Sequence, residues 1–252
     1  MLLAIDIGNT NVVLALHDGN NWVGTLRIPT LVEELSLYYK MGIVDYFLEQ
    51  KIGLQDVKKT VLSSVVPDLK IIFEAILQEL FNQTPIIAHP SSYSKVSLSI
   101  DRHDEIGTDL FANAVAAYKL FQRDCIVVDF GTALTFTVVS GEGVIQGVNI
   151  APGIKTAIRS LMLNTAQLPE VPLQMPKTVI GKNTTTAIQN GILRGYIGLV
   201  RYQIECIRKE LGMQYIAVAT GGLSGILIDL EDDFEFVDKN LTLEGLRLIG
   251  EG

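Results

Sequence analysis

The sequence predicts a two-domain α/β protein in which two mixed sheets are flanked by helices. An apolar N-terminal run ends in Asp6-Ile7-Gly8-Asn9-Thr10, and a second apolar run at 125–128 ends in Asp129-Phe130-Gly131-Thr132-Ala133. Each run has strand character, and each opens a series of segments in the order β-β-β-α-β. Glycine-rich strand ends suit sheets whose carboxyl edges carry a site. Two similarly built halves are therefore expected to face one another across a cleft, each bringing one carboxylate to it.

The elements follow in order. Residues 2–6 and 12–17 are strands on either side of the first glycine turn, and Asp18-Gly19-Asn20-Asn21 marks a hairpin into a strand at 22–28. From 32 to 51 the residues Leu35, Tyr39, Val44, Phe47 and Leu48 recur at helical spacing. A strand at 59–65 runs into Ser63-Ser64-Val65-Val66-Pro67, Asp68 is placed to cap a helix reaching about 81, and 84–88 is a short strand. After a polar stretch at 91–105, the helix 109–121 shows Leu110, Ala114, Ala117 and Tyr118 on one stripe. The second half has strands at 125–129, 133–139 and 144–150, with Gly141 and Gly143 in the hairpin, then helices near 153–164 and 183–210. A strand at 215–219 ends at Thr220-Gly221-Gly222, and short elements close the chain. The boundary falls near 118–124, giving expected domains of 1–118 and 119–252.

Composition narrows the function. The chain has 252 residues, 48% hydrophobic and 19% charged, which is enough for two modest cores. No apolar stretch reaches the roughly 18–20 residues of a membrane span, so no membrane partner is expected. Met1-Leu2-Leu3-Ala4-Ile5-Asp6 lacks the basic region of a secretory signal, and the expected location is cytoplasmic. A net charge of −8 disfavours a nucleic-acid partner, which would require a basic face. Cys125 and Cys206 read as buried free thiols, while His17, His89 and His103 show no metal-ligand spacing.

The glycine turns carry the chemistry. A glycine lets backbone approach a phosphate, Asn9 and Thr10 add donors, and Asp6 can hold Mg²⁺. Taken alone, Asp6–Thr10 is equally well a plain hairpin with side-chain-to-backbone bonds. The matching turn at Asp129 and Thr132 is hard to explain that way, and the pair points to phosphoryl transfer. Thr220-Gly221-Gly222 lies where a nucleoside could rest on backbone, although a strand–helix turn also favours glycine. Gly107-Thr108-Asp109 opens a helix, where an acid is favoured by the dipole alone. Gly181-Lys182-Asn183-Thr184 looks like a helix cap formed by Asn183 or Thr184, and Ala151-Pro152-Gly153 leads into a helix whose N-terminus could face phosphates.

In order along the chain, these motifs resemble those of the type III pantothenate kinases. The likeness runs nearly end to end and includes Ala112-Asn113-Ala114 and Leu243-Glu244-Gly245-Leu246. It implies the acetate/sugar kinase–Hsp70–actin (ribonuclease H-like) fold, a homodimer, and transfer of the ATP γ-phosphate to the 4′-hydroxyl of pantothenate, the first step toward coenzyme A. Mg²⁺ and a monovalent cation, K⁺ or NH₄⁺, are implied with it. Carried over by position, the resemblance implies that Asp6, Ile7, Gly8, Asn9, Thr10, Asn11, Val12 and Val13 form the phosphate turn, with Asp6 near Mg²⁺. It further implies Thr132 and Gly221 at the nucleotide, Asp129 at the monovalent cation, Asp109 as general base, and Ile100, Gly107, Thr108, Asp109, Leu110 and Thr184 at pantothenate.

Two positions depart from the family. Leu110 stands where the motif Gly-x-Asp-Arg has arginine, and Ile100 stands where a tyrosine is common. An arginine on the pantothenate carboxylate is worth about 1.5–3 kcal/mol, or about one to two decades of affinity. Arg102, Lys155, Arg159 and Lys182 are candidates to replace it. A kinase of a related small alcohol and a non-catalytic regulatory homologue are the other two readings. Asp109 argues against the latter, because mere binding does not demand a third acid. The helix 109–121 is apolar nearly all round, which fits either deep burial or a subunit contact.

Overall fold

In the computed structural model the described residues are 1–31, 33, 36–165, 168–211, 215–225 and 228–252, without the side chains of 228, 229 and 231. Val32 and Leu35 of the expected first helix lie outside them. The chain divides into unit 1, Met1–Leu120 with Leu241–Gly252, and unit 2, Phe121–Asn240.

Unit 1 begins with β1 (Leu2–Ile7), β2 (Asn11–His17) and β3 (Trp22–Pro29), then α1 (Ser36–Gln50), β4 (Lys59–Ser64), α2 (Pro67–Phe81), β5 (Ile86–Ile87), β6 (Ser97–Leu98) and α3 (Thr108–Phe121). The sheet order is β3-β2-β1-β4-β5, with β1 antiparallel to β2 and parallel to β4. Alternation sorts the central strands into two faces. Leu3, Ile5, Ile7, Leu14 and Leu62 pack with Tyr39, Ile43 and Phe47 of α1 and Phe73 and Leu77 of α2. The opposite face carries Asp6, Val13 and Ser63 in one register row. At the β2–β3 hairpin the Asn20 and Asn21 amides donate to Asp18 Oδ1 at 2.7 and 2.8 Å, and these bonds hold that carboxyl below the usual carboxylate range.

Unit 2 repeats the plan with β7 (Cys125–Phe130), β8 (Ala133–Val139), β9 (Val144–Pro152), α4 (Ile154–Leu163), α5 (Thr184–Gln189), α6 (Gly195–Leu211), β10 (Ile216–Thr220) and β11 (Phe236–Val237). Its strands lie in the order β11-β10-β7-β8-β9, with β10 parallel to β7 and β8 antiparallel to it. Val128, Phe130, Phe136 and Ala219 form a core with Ile158 of α4 and Tyr196 and Val200 of α6. The repeat holds at the level of single residues. In β1 and in β7 every residue is buried except the aspartate one before the end, and in β2 and in β8 every residue after the first is buried.

Several boundaries depart from expectation. Asp68 does not cap α2: Val66 is the cap residue with extended backbone, and Pro67, pre-set for a first helical position, puts Asp68 inside the first turn. The single helix expected at 183–210 is α5, a π-helical stretch (Asn190–Arg194) and α6 in succession. The short closing elements include a full helix, α7 (Leu241–Glu251), which packs on β1 and β4. For this reason 241–252 clusters with unit 1, whereas the expected second domain ran on to 252. Lys59 Nζ donates to the Gly250 carbonyl at 2.7 Å and so satisfies an end of α7. Residues 110–117 of α3 are all buried in the chain, so deep burial accounts for the apolar surface of that helix.

Candidate active site

Each glycine turn is closed by the same kind of bond. The Gly8 amide donates to the Asn11 carbonyl at 3.0 Å, and the Gly131 amide to the Ala133 carbonyl at 3.1 Å. The third strand then locks the turn. The Thr30 amide donates to the Thr10 carbonyl at 3.0 Å, and the Gly153 amide to the Thr132 carbonyl at 2.9 Å. Threonine hydroxyls add to this, Thr30 Oγ1 donating to the Gly8 carbonyl and Thr156 Oγ1 to the Thr132 carbonyl, both at 2.7 Å. The turns are thereby held rigid with Asn9, Thr10 and Thr132 exposed. Ile7 and Val12 point their side chains into the unit 1 core, so only their backbone is available to a ligand.

In unit 1, Asp6 is tied to the start of α3. Ser63 Oγ donates to Asp6 Oδ1 at 2.8 Å and lies 2.9 Å from Thr108 Oγ1. Thr108 Oγ1 also accepts from the Ser64 amide at 2.9 Å. Gly107 supplies the first helical carbonyl, to which the Phe111 amide donates at 3.0 Å, so Asp109 sits in the first turn. Its Oδ1 accepts from the Leu110 amide at 2.8 Å. Burial pushes the Asp109 carboxyl above its ordinary range, against the opposing pull of that amide and its own. Leu110 is buried at 8% exposure, and Ile100 is half-buried in a bend upstream.

In unit 2, Asp129 pairs in register with Thr220 of β10 and Thr135 of β8. Gly221 follows with φ +90, a left-handed conformation, and a Cβ there would overlap Asp129 Oδ1 and lie 2.8 Å from the Phe130 amide nitrogen. Only glycine fits this place. Asn183 proves to be the cap of α5, its Oδ1 accepting from the Thr186 amide at 2.9 Å, which leaves Thr184 exposed as the first helical residue. Contacts thus join Asp6 with Thr108 in one unit and Asp129 with Gly221 in the other, whereas Ile100 and Thr184 enter neither set of bonds. Of the cations considered as replacements for the missing arginine, Arg102 pairs with Glu105 at 3.0 Å, while Lys155, Arg159 and Lys182 are exposed.

Ser63, Thr30 and Thr156 escape sequence reasoning. Their one signal is position: Ser63 lies at the carboxyl end of a parallel strand, where open sheets place sites.

Two mixed sheets with paired carboxylate–glycine turns define the acetate/sugar kinase–Hsp70–actin class of fold. The activator of 2-hydroxyisocaproyl-CoA dehydratase from Clostridium difficile, solved with bound ADPNP, shares it at a TM-score of 0.55 and 12% identity, over 99% of this chain and 93% of that one. A Campylobacter jejuni structure described as a Baf family transcriptional activator reaches 0.59 at 23% identity, over 98% and 96%. A sequence profile described as type III pantothenate kinase matches residues 2–206. The type III pantothenate kinase of Syntrophus aciditrophicus (strain SB) is 38% identical over 249 residues, 99% of this chain and 98% of that relative. The chain belongs to the type III pantothenate kinase family, and is a phosphotransferase of coenzyme A biosynthesis whose family implies ATP and pantothenate as substrates.

The residues present would suit hard cations such as Mg²⁺. Asp6 and Asp129 are each a carboxylate near the end of a strand in its own unit, an oxygen donor of the kind hard cations take. Among the described residues no group of three or more His, Cys, Asp or Glu could hold a metal, and Mg²⁺ bound by a carboxylate and substrate phosphates needs none. Among the same residues, no helix is long and apolar enough to cross a membrane.

Proposed function

We propose that the chain transfers the γ-phosphate of ATP to the 4′-hydroxyl of pantothenate, with Asp109 as the general base. The observation that carries this reading is a desolvated carboxylate fixed in the first turn of α3, at a helix start bonded through Ser63 to Asp6. Burial raises the basicity of Asp109, moving it toward the pH at which it must accept a proton, and such a base contributes typically ~10²–10⁴-fold. Residues 6–13 hold the phosphates through backbone amides and the Asn9 and Thr10 side chains, with Thr132 and Gly221 at the nucleotide. Asp6 holds Mg²⁺, and Asp129 holds K⁺ or NH₄⁺. Bound there, the cations neutralise phosphate charge that otherwise repels the nucleophile. Ile100, Gly107, Thr108, Leu110 and Thr184 surround pantothenate. The enzyme works as a cytoplasmic homodimer.

The test is a steady-state assay of ADP release with ATP, pantothenate and varied monovalent salt. Release that needs both pantothenate and K⁺ or NH₄⁺ supports the reading; release indifferent to pantothenate defeats it. A second reading is favoured by Leu110, a buried apolar residue at the position of the family's arginine: the acceptor is a related alcohol of different charge. A panel of hydroxy acids and neutral alcohols separates the two by kcat/KM.

A further inference from the structure

Ser63 has 0% exposure, yet its hydroxyl is placed between two polar groups on different elements: the Asp6 carboxylate on β1 at 2.8 Å and Thr108 Oγ1 on α3 at 2.9 Å. Thr108 is itself pinned to the end of β4, accepting from the Ser64 amide at 2.9 Å and lying 3.2 Å from the Ser64 carbonyl. The next residue along α3 is Asp109. One hydroxyl chain therefore runs from the carboxylate of the glycine turn to the first turn of the helix that carries the base.

The repeated fold does not require this chain. In unit 2 the residue in register with the turn aspartate is Thr220, just as Ser63 is in register with Asp6. Thr220 is also fully buried, but its Oγ1 has no hydrogen-bond partner among the described residues. The same strand position thus bears a hydroxyl in both units and links elements only in unit 1.

We infer that Ser63 is a positioning residue for phosphoryl transfer: it sets Thr108, and through it Asp109, at a fixed place relative to Asp6. The inference rests on the assignment of Asp109 as base. A displacement of about 1 Å in such a constellation is enough to slow catalysis by up to about 10²-fold while leaving the binding contacts in place. Ser63 itself is wholly buried, touches neither substrate and acts through geometry, whereas its partner Thr108 also borders pantothenate.

Four variants test it: Ser63→Ala, Thr108→Val, Thr108→Ser and the double variant Ser63→Ala with Thr108→Val. Ser63→Ala is expected to lower kcat about tenfold while KM for ATP and pantothenate and the calorimetric affinity for pantothenate stay within about twofold. Thr108→Val, which breaks the same chain from the other end, lowers kcat likewise, and Thr108→Ser, which keeps the hydroxyl, restores it. The double variant is no slower than the slower single one, because both cut one chain. Wild-type kcat in Ser63→Ala, multiplicative losses in the double variant, or a loss of pantothenate affinity in place of kcat overturns the role. Should Ser63→Ala fail to fold, the Thr108→Val and Thr108→Ser pair decides. A wild-type enzyme without pantothenate-dependent ADP release removes the kinase reading and this inference with it. An active wild type, an inactive Asp109→Asn and a fast Ser63→Ala remove this inference alone.

Discussion

Gly245 lies against the backbone of Ala112, so that α7 touches the base-bearing helix α3 main chain to main chain. A Cβ on Gly245 would overlap the Ala112 carbonyl oxygen and stand 2.5 Å from its carbonyl carbon and 2.9 Å from its Cα. Thr242 Oγ1 bonds Asn113 Oδ1 at 2.8 Å beside it, fixing the two helices in register. Backbone cannot rotate away as a side chain would, so Gly245→Ala must push the helices apart. It is expected to cost about 1–3 kcal/mol in urea unfolding and to lower kinase activity with it. Gly147→Ala, where a Cβ meets nothing within 4 Å, is expected to stay within about 0.5 kcal/mol of wild type.

Gly221 makes a parallel case in unit 2. Its positive φ costs any other residue about 1–2 kcal/mol, and its Cβ would overlap the Asp129 carboxylate. Gly221→Ala is expected to raise KM for ATP about tenfold or more, the equivalent of about 1.4 kcal/mol. At Gly222 a Cβ has open space, and Gly222→Ala should alter KM little. Equal effects at the two positions would contradict a role confined to Gly221.

Asp109 also links stability to pH. Burial raises its folded pKa above the unfolded value of 3.8. Between those two values the native state binds the proton that the unfolded chain has released, so stability falls as pH rises through the window and stays lower above it. Asp109→Asn removes this ionisation. It should melt higher than wild type at pH 7, by about 2–4 °C for each kcal/mol relieved. Below pH 3.8 the difference should close, because both states of the wild type are then protonated. Thermal melts across pH 3 to 8 read this directly.

The two cysteines should differ in reactivity. Cys125 is buried in β7, its Sγ donating to the Arg123 carbonyl at 3.0 Å, and burial pushes its thiol up to about 12. Cys206 is partly exposed on α6. Native protein treated with iodoacetamide at pH 8 is expected to be labelled at Cys206 and spared at Cys125, as read by peptide mass spectrometry. Prompt labelling of Cys125 would show that β7 opens.

Much of the fold was legible because strand ends, glycine turns and apolar periodicity are local signals. A lone acid closing an apolar run marks Asp6 and Asp129 in the sequence, and each is the least buried residue of its strand. What stayed hidden depends on tertiary contact. α7 was obscured because Gly245 and Gly250 lower helix propensity, yet close packing requires the first of them. Asp68 reads as a cap, but Pro67 takes the first helical position and the cap falls two residues earlier, at Val66. Ser63 reads as an ordinary strand residue, and only the pairing of β1 with β4 brings it to Asp6.

The most direct measurement is single-turnover formation of phosphopantothenate by Asp109→Ala at saturating ATP and pantothenate, alongside calorimetric titration of both ligands. The expected result is a rate reduced about 10²–10⁴-fold with both affinities close to wild type. A variant that binds both ligands and still transfers phosphate at the wild-type rate would show that the proton goes elsewhere, and that the carboxylate at the head of α3 is not the base.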